Sequence, residues 1–468
     1  MKKIFIVLVC AALLILPLAG CNGIFDDYWE DEDPIPAGGT NLVVWAHNPL
    51  VYNYKTILRS NPGDAAANLT KRIIDDFKEV YPDVRVDLSN HGWAQTLNSN
   101  MLMAMQSATP VDVLYGETYI QSNINKAYLA ELDTGYYAQR IPATTLSYAQ
   151  RDGKTYGVPV ITGSFALIIN KEVLKEAGIL DASYAPSAAW AGKQPLAPQT
   201  FEDLLEICEA IKSYYVGKGV NDKGGMLLTA SPDDSPWRAL AVMRAAGGDL
   251  LNQGGGFDLT SPANKKAFAM LRALVKTSPD RSIYDLETND QFARFNRNEA
   301  AYLIDGIDPI TRSVGMPSEN KIVTAEIPVF SGAEKKSNVV VGTVYYSVAK
   351  RSEKKDIAEA FIKHLLKPEY QKEYLKTQLR IPTVTAVLES ADITAAEYSY
   401  SLMQNFLKPF QDESYDFRGG IPSFDKNTGN IWSKWETFII KLYEDTDGRS
   451  LDQLLADYSN ELNIEKDS

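Results

Sequence analysis

The chain has 468 residues, 45% apolar and 23% charged, enough to bury real cores and, at roughly 150 residues per domain, to form two or three domains. It carries 47 Lys and Arg against 60 Asp and Glu, a net charge of -13 with no basic run, which speaks against phosphate-backbone contacts and so against nucleic acid. The 3 histidines, His47, His91 and His364, show no HxxxH or CxxC spacing, so no metal site of His and Cys ligands is expected.

In chain order, Lys2 and Lys3 precede an unbroken apolar run from Ile4 to Leu16, the charged and apolar regions of an export signal. As a helix that run would extend only about 20 Å, short of a bilayer core of about 30 Å. It ends in Leu18-Ala19-Gly20-Cys21, which resembles a bacterial lipobox. Residues 1–20 are therefore expected to be removed and the Cys21 sulfur to carry a diacylglycerol, so that the protein is anchored to a membrane without spanning it. Loss of Lys2 and Lys3 takes the charge from -13 to -15. Cys10 leaves with the signal and Cys21 is lipidated, which leaves Cys208 without a disulfide partner. It shares the stripe Phe201, Leu204, Leu205, Ile211 and reads as a buried thiol. Residues 21–40, with the acidic run Asp26 to Asp33 followed by Pro34 and Pro36, read as a tether too polar to order itself.

The body opens with a short strand, Leu42 to Trp45, then a helix with Leu69, Ile73, Phe77 and Val80 on one face, stopped by Pro82. Val84, Val86 and Leu88 alternate as a second strand, Met101 to Met105 lie in a helix, and Val111 to Tyr115 form a third strand. This βαβαβ order predicts an α/β lobe with parallel strands. The alternation continues with strand Phe165–Ile169, helix Phe201–Ile211 opened by Thr200 and Asp203, helix Asn264–Lys276, strands Ala300–Ile304 and Tyr345–Val348, and helix Asp356–Leu366. Two α/β lobes fit these lengths.

In open α/β sheets ligands bind where strands end at their carboxyl side. Those positions are Trp45 to Asn48, Tyr115 to Thr118, Gly163 to Ser164, and Asp305 to Asp308: aromatic rings, amides and carboxylates, with no nucleophile and base placed together. Aromatic rings suit the C–H faces of pyranoses and planar polar side chains suit their hydroxyls. Of 7 Trp, Trp45 and the Trp432/Trp435 pair are the better platforms, and a core role stays open for Trp93 and Trp190. Glu117, Asp305 and Asp308 could serve glycoside hydrolysis, but among 60 acids they read better as hydroxyl ligands or helix caps. Asp425, Asn427, Gly429 and Glu436 echo a calcium loop that fails at its turn, where Asn430 stands for glycine, and the loop reads as solvated. No phosphate loop is present in the sequence, and no cofactor is expected.

The run Asp152-Gly153-Lys154-Thr155-Tyr156-Gly157-Val158-Pro159, with Ala166-Leu167-Ile168-Ile169-Asn170-Lys171 and Ala177-Gly178, resembles the central signature of the extracellular solute-binding proteins of family 1, the maltose-binding-like receptors of ABC importers. Ala246-Gly247-Gly248, Asn298-Glu299-Ala300-Ala301, Asp305-Gly306, Ile327-Pro328-Val329-Phe330 and Gly448-Arg449-Ser450 continue it in order, from Asn41 to the end. The resemblance implies a type II periplasmic-binding fold: two α/β lobes, 41–160 plus 344–379 and 161–343 plus 380–468, joined by crossings near Pro159–Gly163, Val341–Tyr345 and Arg380–Thr383. It implies a cleft contacted by Trp45, Asn48, Tyr115, Glu117, Thr118, Ser164, Trp237, Asp305, Asp308, Tyr345, Trp432 and Trp435. Two departures stand out: Ile307 where an aromatic is common, and Gly163 where an acid or tyrosine often sits. The implied activity is capture of a small solute, foremost a sugar, by a monomer that docks on an ABC permease. A receptor that signals to a sensor kinase and a secreted glycosidase are the alternatives.

Overall fold

The computed structural model describes residues 34–107, 109–116, 120–125, 127–231, 235–284, 288–313, 321–333, 335–390, 398–418, 428–445 and 448–467. The expected signal peptide, Cys21, the acidic run, Glu117, Thr118, Asp425 and Asn427 lie outside the described residues. Among the described residues no helix is long and apolar enough to cross a membrane.

Strands β1 (Thr40–Trp45), β2 (Val84–Ser89) and β3 (Val113–Gly116) run parallel, with β1 central. Helix Ala65–Val80 joins the first two. It starts where Asp64 accepts the Ala67 N–H at 2.8 Å, buries Leu69, Ile73 and Phe77, and ends before Pro82. Helix Ala94–Gln106 leads to β3. The signature Asp152-Gly153 is a turn: both residues take left-handed φ, 50° and 74°, which glycine tolerates best, and they close a small hairpin of β4 (Gln150–Arg151) and β5 (Lys154–Thr155). β6 (Val158–Gly163) follows.

The second group comprises β7 (Ala166–Asn170), β8 (Gly224–Met226), β9 (Ala300–Asp305) and β10 (Ile322–Ala325), ordered β10-β7-β9-β8. β11 (Ser337–Val339) precedes β12 (Val341–Val348), β13 (Ile381–Pro382) and β14 (Asp416–Arg418). The first sheet is ordered β13-β6-β12-β3-β1-β2, with β12 returning antiparallel between β3 and β6. Each sheet is covered by helices, giving two α/β lobes; one apolar cluster fills the first lobe and reaches one face of β7 and β9, and a second fills their other face. In the second lobe, helix Phe201–Gly217 is capped as its sequence predicts, the Asp203 N–H donating to Thr200 Oγ1 at 3.1 Å. Cys208 sits in that core against Gly225, where a Cβ would lie 2.4 Å from the Cys208 Cα, and burial pushes its thiol pKa up.

The chain passes between the sheets from Gly163 to Ala166, again before Val341, and after Pro382. Hydroxyls lace these passages: Thr162 Oγ1 meets Thr343 Oγ1 at 2.8 Å and Thr383 Oγ1 donates to the Pro159 carbonyl at 2.6 Å. Register fixes the direction of each sheet. Gly116 pairs with Tyr345, Gly163 with Val341, and Asp305 with Ala166, so the carboxyl ends of β3, β6 and β9 all face the crossing, and the loops after them border the groove between the lobes.

Candidate ligand cleft

On the first lobe, the ends of β1 and β3 and the loops after β1 and β2 bring five rings together. His47 stacks on Trp93 at 4.5 Å between centroids and on Tyr115 at 5.3 Å, while His91 lies flat on Trp45 at 3.6 Å. Backbone bonds hold the loops: the Tyr346 hydroxyl donates to the His47 carbonyl and accepts the His47 N–H, and the Tyr115 hydroxyl donates to the Gly92 carbonyl and accepts the His91 N–H at 3.3 Å. Burial, and then the nearby Arg380 charge, hold the His47 pKa down at about 4, opposed in part by Asp308. Burial lowers that of His91 and pushes the Tyr115 phenol up to about 12. Near neutral pH this wall is therefore uncharged.

On the second lobe, Trp237 of helix Ser235–Ala245 and Trp432 of helix Thr428–Glu444 tilt together at 5.0 Å. Beneath them a buried network fixes helix to strand end. Arg238 donates through Nη2 to Asp305 Oδ2 at 2.9 Å and through Nε to the Ile304 carbonyl at 2.8 Å, and the Gln291 amide donates to the same carboxylate oxygen at 2.6 Å. The lobes touch. Helix Thr428–Glu444 approaches helix Ile120–Asn125 of the first lobe, and Asp308 pairs at 2.8 Å with Arg380, which opens the last crossing.

Several expected contacts belong to cores instead. Tyr345 is buried in the first lobe, its hydroxyl donating to the Thr145 carbonyl at 2.9 Å, because its strand is central in the sheet. The Ser164 hydroxyl is buried and donates to the Phe406 carbonyl at 2.7 Å, and Asp305 is consumed by Arg238 and Gln291. Trp435 is buried, with its indole N–H on the Pro236 carbonyl at 3.2 Å and its ring stacked on Phe438. Trp45 is 2% exposed under His91 and supports the wall from behind. Tyr115, also buried, backs His47 with its ring. Asn48 lies half-buried on the β1 loop beside His47, half-buried Trp237 fronts the second wall with the largely buried Trp432 behind it, and Asp308 holds Arg380 at the last crossing.

Sequence reasoning missed His47, His91 and Trp93 as wall residues and Arg380 as a charged one. The histidines had been weighed only as metal ligands, although His47 falls inside a strand-end segment already singled out. A separate cavity of about 420 Å³ in the second lobe is lined by Glu326, Lys336, Lys408 and Asn405. Its charges answer one another: Glu326 accepts from both lysines and from the Tyr415 hydroxyl, which hold its pKa down at about 2 against its burial.

Two α/β lobes joined by three crossings, with rings clustered at the strand ends of one and on helices of the other, are the architecture of a solute-binding receptor. The chain belongs to the bacterial extracellular solute-binding proteins, whose family model matches residues 72–398. It is 22% identical over 409 residues to the diacetylchitobiose binding protein DasA of Streptomyces coelicolor, covering 85% of each chain. It is 21% identical over 215 residues to an arabinooligosaccharide-binding protein of Halalkalibacterium halodurans, 44% of this chain and 43% of that one. Among solved structures, UgpB from Mycobacterium tuberculosis in complex with glycerophosphocholine aligns with a TM-score of 0.70 at 15% identity, over 92% of this chain and 99% of that one.

Proposed function

We propose that this protein is the lipid-anchored, extracytoplasmic solute-binding component of an ABC importer, and that its solute is a mono- or oligosaccharide. The observation that carries the saccharide reading is a ring cluster on each lobe, His47 and Trp93 backed by Tyr115 and Trp237 backed by Trp432. Neutral aromatic surfaces on both sides of a cleft suit the C–H faces of sugar rings. The names of DasA and the arabinooligosaccharide-binding relative point the same way, while the likeness to UgpB concerns the fold alone. The export-signal pattern at 1–20, the lipobox-like Cys21 and the acidic segment before β1 support a body held outside the membrane by a lipid. The lobes are taken as 41–160 plus 344–379 and 161–343 plus 380–468. Solute that touches both lobes favours the closed form because only that form contacts it twice. The closed monomer then docks on the permease, and no bond in the solute is changed.

A thermal-shift screen of the soluble body over saccharides tests this. A true ligand at 100 times its dissociation constant stabilises by about 2.7 kcal/mol. A screen in which no saccharide raises the melting temperature, or in which a bound oligosaccharide is hydrolysed, overturns the reading. Mass measurement of the mature N-terminus tests the lipid: Cys21 must carry acyl mass.

A further inference from the structure

Two buried polar atoms beside the Arg380–Asp308 ion pair, His47 Nδ1 and Arg380 Nε, have no partner among the described residues. Buried polar groups in folded proteins are almost all hydrogen-bonded, so each such atom calls for an explanation. The two belong to one place. Helix Pro368–Gln378 ends at Leu379, in left-handed conformation, and the Gln378 amide donates to the Pro49 carbonyl at 2.8 Å, which seats the Arg380 turn against the loop that carries His47. From the second lobe, Asp308 Oδ1 reaches Arg380 Nη2 at 2.8 Å.

We propose that His47 and Arg380 form a hydrogen-bonding floor that reads adjacent hydroxyl groups of an uncharged saccharide, with Asp308 as the positioning residue that holds the guanidinium. This rests on the saccharide reading and deepens it by naming the charge class of the solute and the side chains that contact it. A hydroxyl both donates and accepts, so it satisfies Nδ1 of a neutral imidazole in either tautomer, whereas Arg380 Nε only donates and needs an oxygen. Two neighbouring hydroxyls meet both demands. A cationic solute would face Arg380, and a carboxylate, which only accepts, would stand beside the Asp308 charge and could pair with His47 in one tautomer alone. Stacking on Trp93 and Tyr115 fixes the imidazole before the solute arrives, so little ordering entropy remains to be lost on binding. The sequence departs from its family's pattern at Gly163 and Ile307 nearby, and a floor made by His47 and Arg380 supplies polar contacts that those positions lack.

The test is calorimetric titration of the soluble body with N,N′-diacetylchitobiose, an arabinooligosaccharide and a galacturonate disaccharide. His47→Phe keeps a ring in the stack and removes both nitrogens. It is expected to weaken the neutral ligand that binds wild type by about 10- to 100-fold with an unchanged melting temperature. His47→Asn, whose amide can reach the Nδ1 position, recovers most of that loss, and Arg380→Lys loses about 10-fold. The galacturonate binds at least 10-fold more weakly than its neutral counterpart. Wild-type affinity in His47→Phe, or tighter binding of the uronate, overturns the floor while leaving a saccharide receptor standing. If wild type binds no saccharide at all, the broader reading falls and the floor falls with it.

Discussion

The first lobe builds its side of the cleft from strand ends, and the second builds its side from helices pinned to a strand by a buried ion pair. His47, His91, Trp93 and Tyr115 are reached within a few residues of β1, β2 and β3, and backbone hydrogen bonds to tyrosine hydroxyls set their positions. Trp237 and Trp432 come from helices far apart in sequence, and Arg238, next to Trp237, ties its helix to the end of β9 through Asp305. The difference predicts where each wall is fragile: the first in its local stacking, the second in a charge network beneath the surface.

In the second wall the largest effect is expected at its ion pair. Arg238→Met leaves the Asp305 carboxylate buried with its main counter-charge gone, and removing one partner of a buried pair costs about 3 to 5 kcal/mol. Replacing both, as Arg238→Met with Asp305→Leu, costs much less because no charge is stranded. Denaturant midpoints of the two variants measure this, and a single variant within about 1 kcal/mol of wild type would dissolve the contrast between the walls.

Next come the tryptophans. Trp432→Ala should lower saccharide affinity by about 2 to 4 kcal/mol, as for aromatic anchors in desolvated pockets, and some stability with it because the indole is largely buried against Trp237. Trp45→Ala, whose indole is covered by His91, should instead lose about 3 to 5 kcal/mol of stability, because it opens a cavity beneath the wall. Titration and melting of the same two variants separate a ligand platform from its support.

The first wall also carries a pH signature. His47, faced by Arg380 and Asp308 and stacked between Trp93 and Tyr115, titrates at about 4 in the folded protein against 6.5 in the unfolded chain. As pH falls from 6.5 to 4 the unfolded imidazole takes up a proton that the folded one refuses. Stability is therefore lost across that window, by roughly 3 kcal/mol from this group, and levels off below it. Unfolding of wild type and His47→Phe at several pH values checks the slope: the variant should lose this component, and parallel curves would mean that His47 is already protonated in the fold.

These contrasts follow what the sequence makes visible. Period-two and helical patterns marked β1, β2, β3, β7 and β9 and their linking helices within a few residues, because each buries an apolar face and ends at a cap or a proline. Strand ends such as Trp45 to Asn48 were legible as cleft positions for the same reason. Which way each side chain turns there was not: Trp432 and Trp435 share one helix, yet Trp435 points into Phe438 and the Pro236 carbonyl while Trp432 meets Trp237. Long-range pairing decides such cases. Arg238 reaches Asp305 across 67 positions, and Arg380 reaches Asp308 only once the crossings have folded.

The smallest expected effect falls on Tyr345, whose place near a crossing made it a candidate contact and whose burial makes it a structural residue. Its hydroxyl meets the Thr145 carbonyl at 2.9 Å inside the first lobe, and burial drives its pKa upward. Tyr345→Phe removes one buried hydrogen bond, keeps the ring, and leaves one carbonyl unpaired, so stability should drop by about 1 to 2 kcal/mol. Saccharide affinity should stay at the wild-type value, since the side chain lies behind the strand ends and not in the groove. A loss of affinity larger than the loss of stability would show that β12 presents this hydroxyl to the solute when the lobes move, and would extend the first wall onto the crossing strand itself.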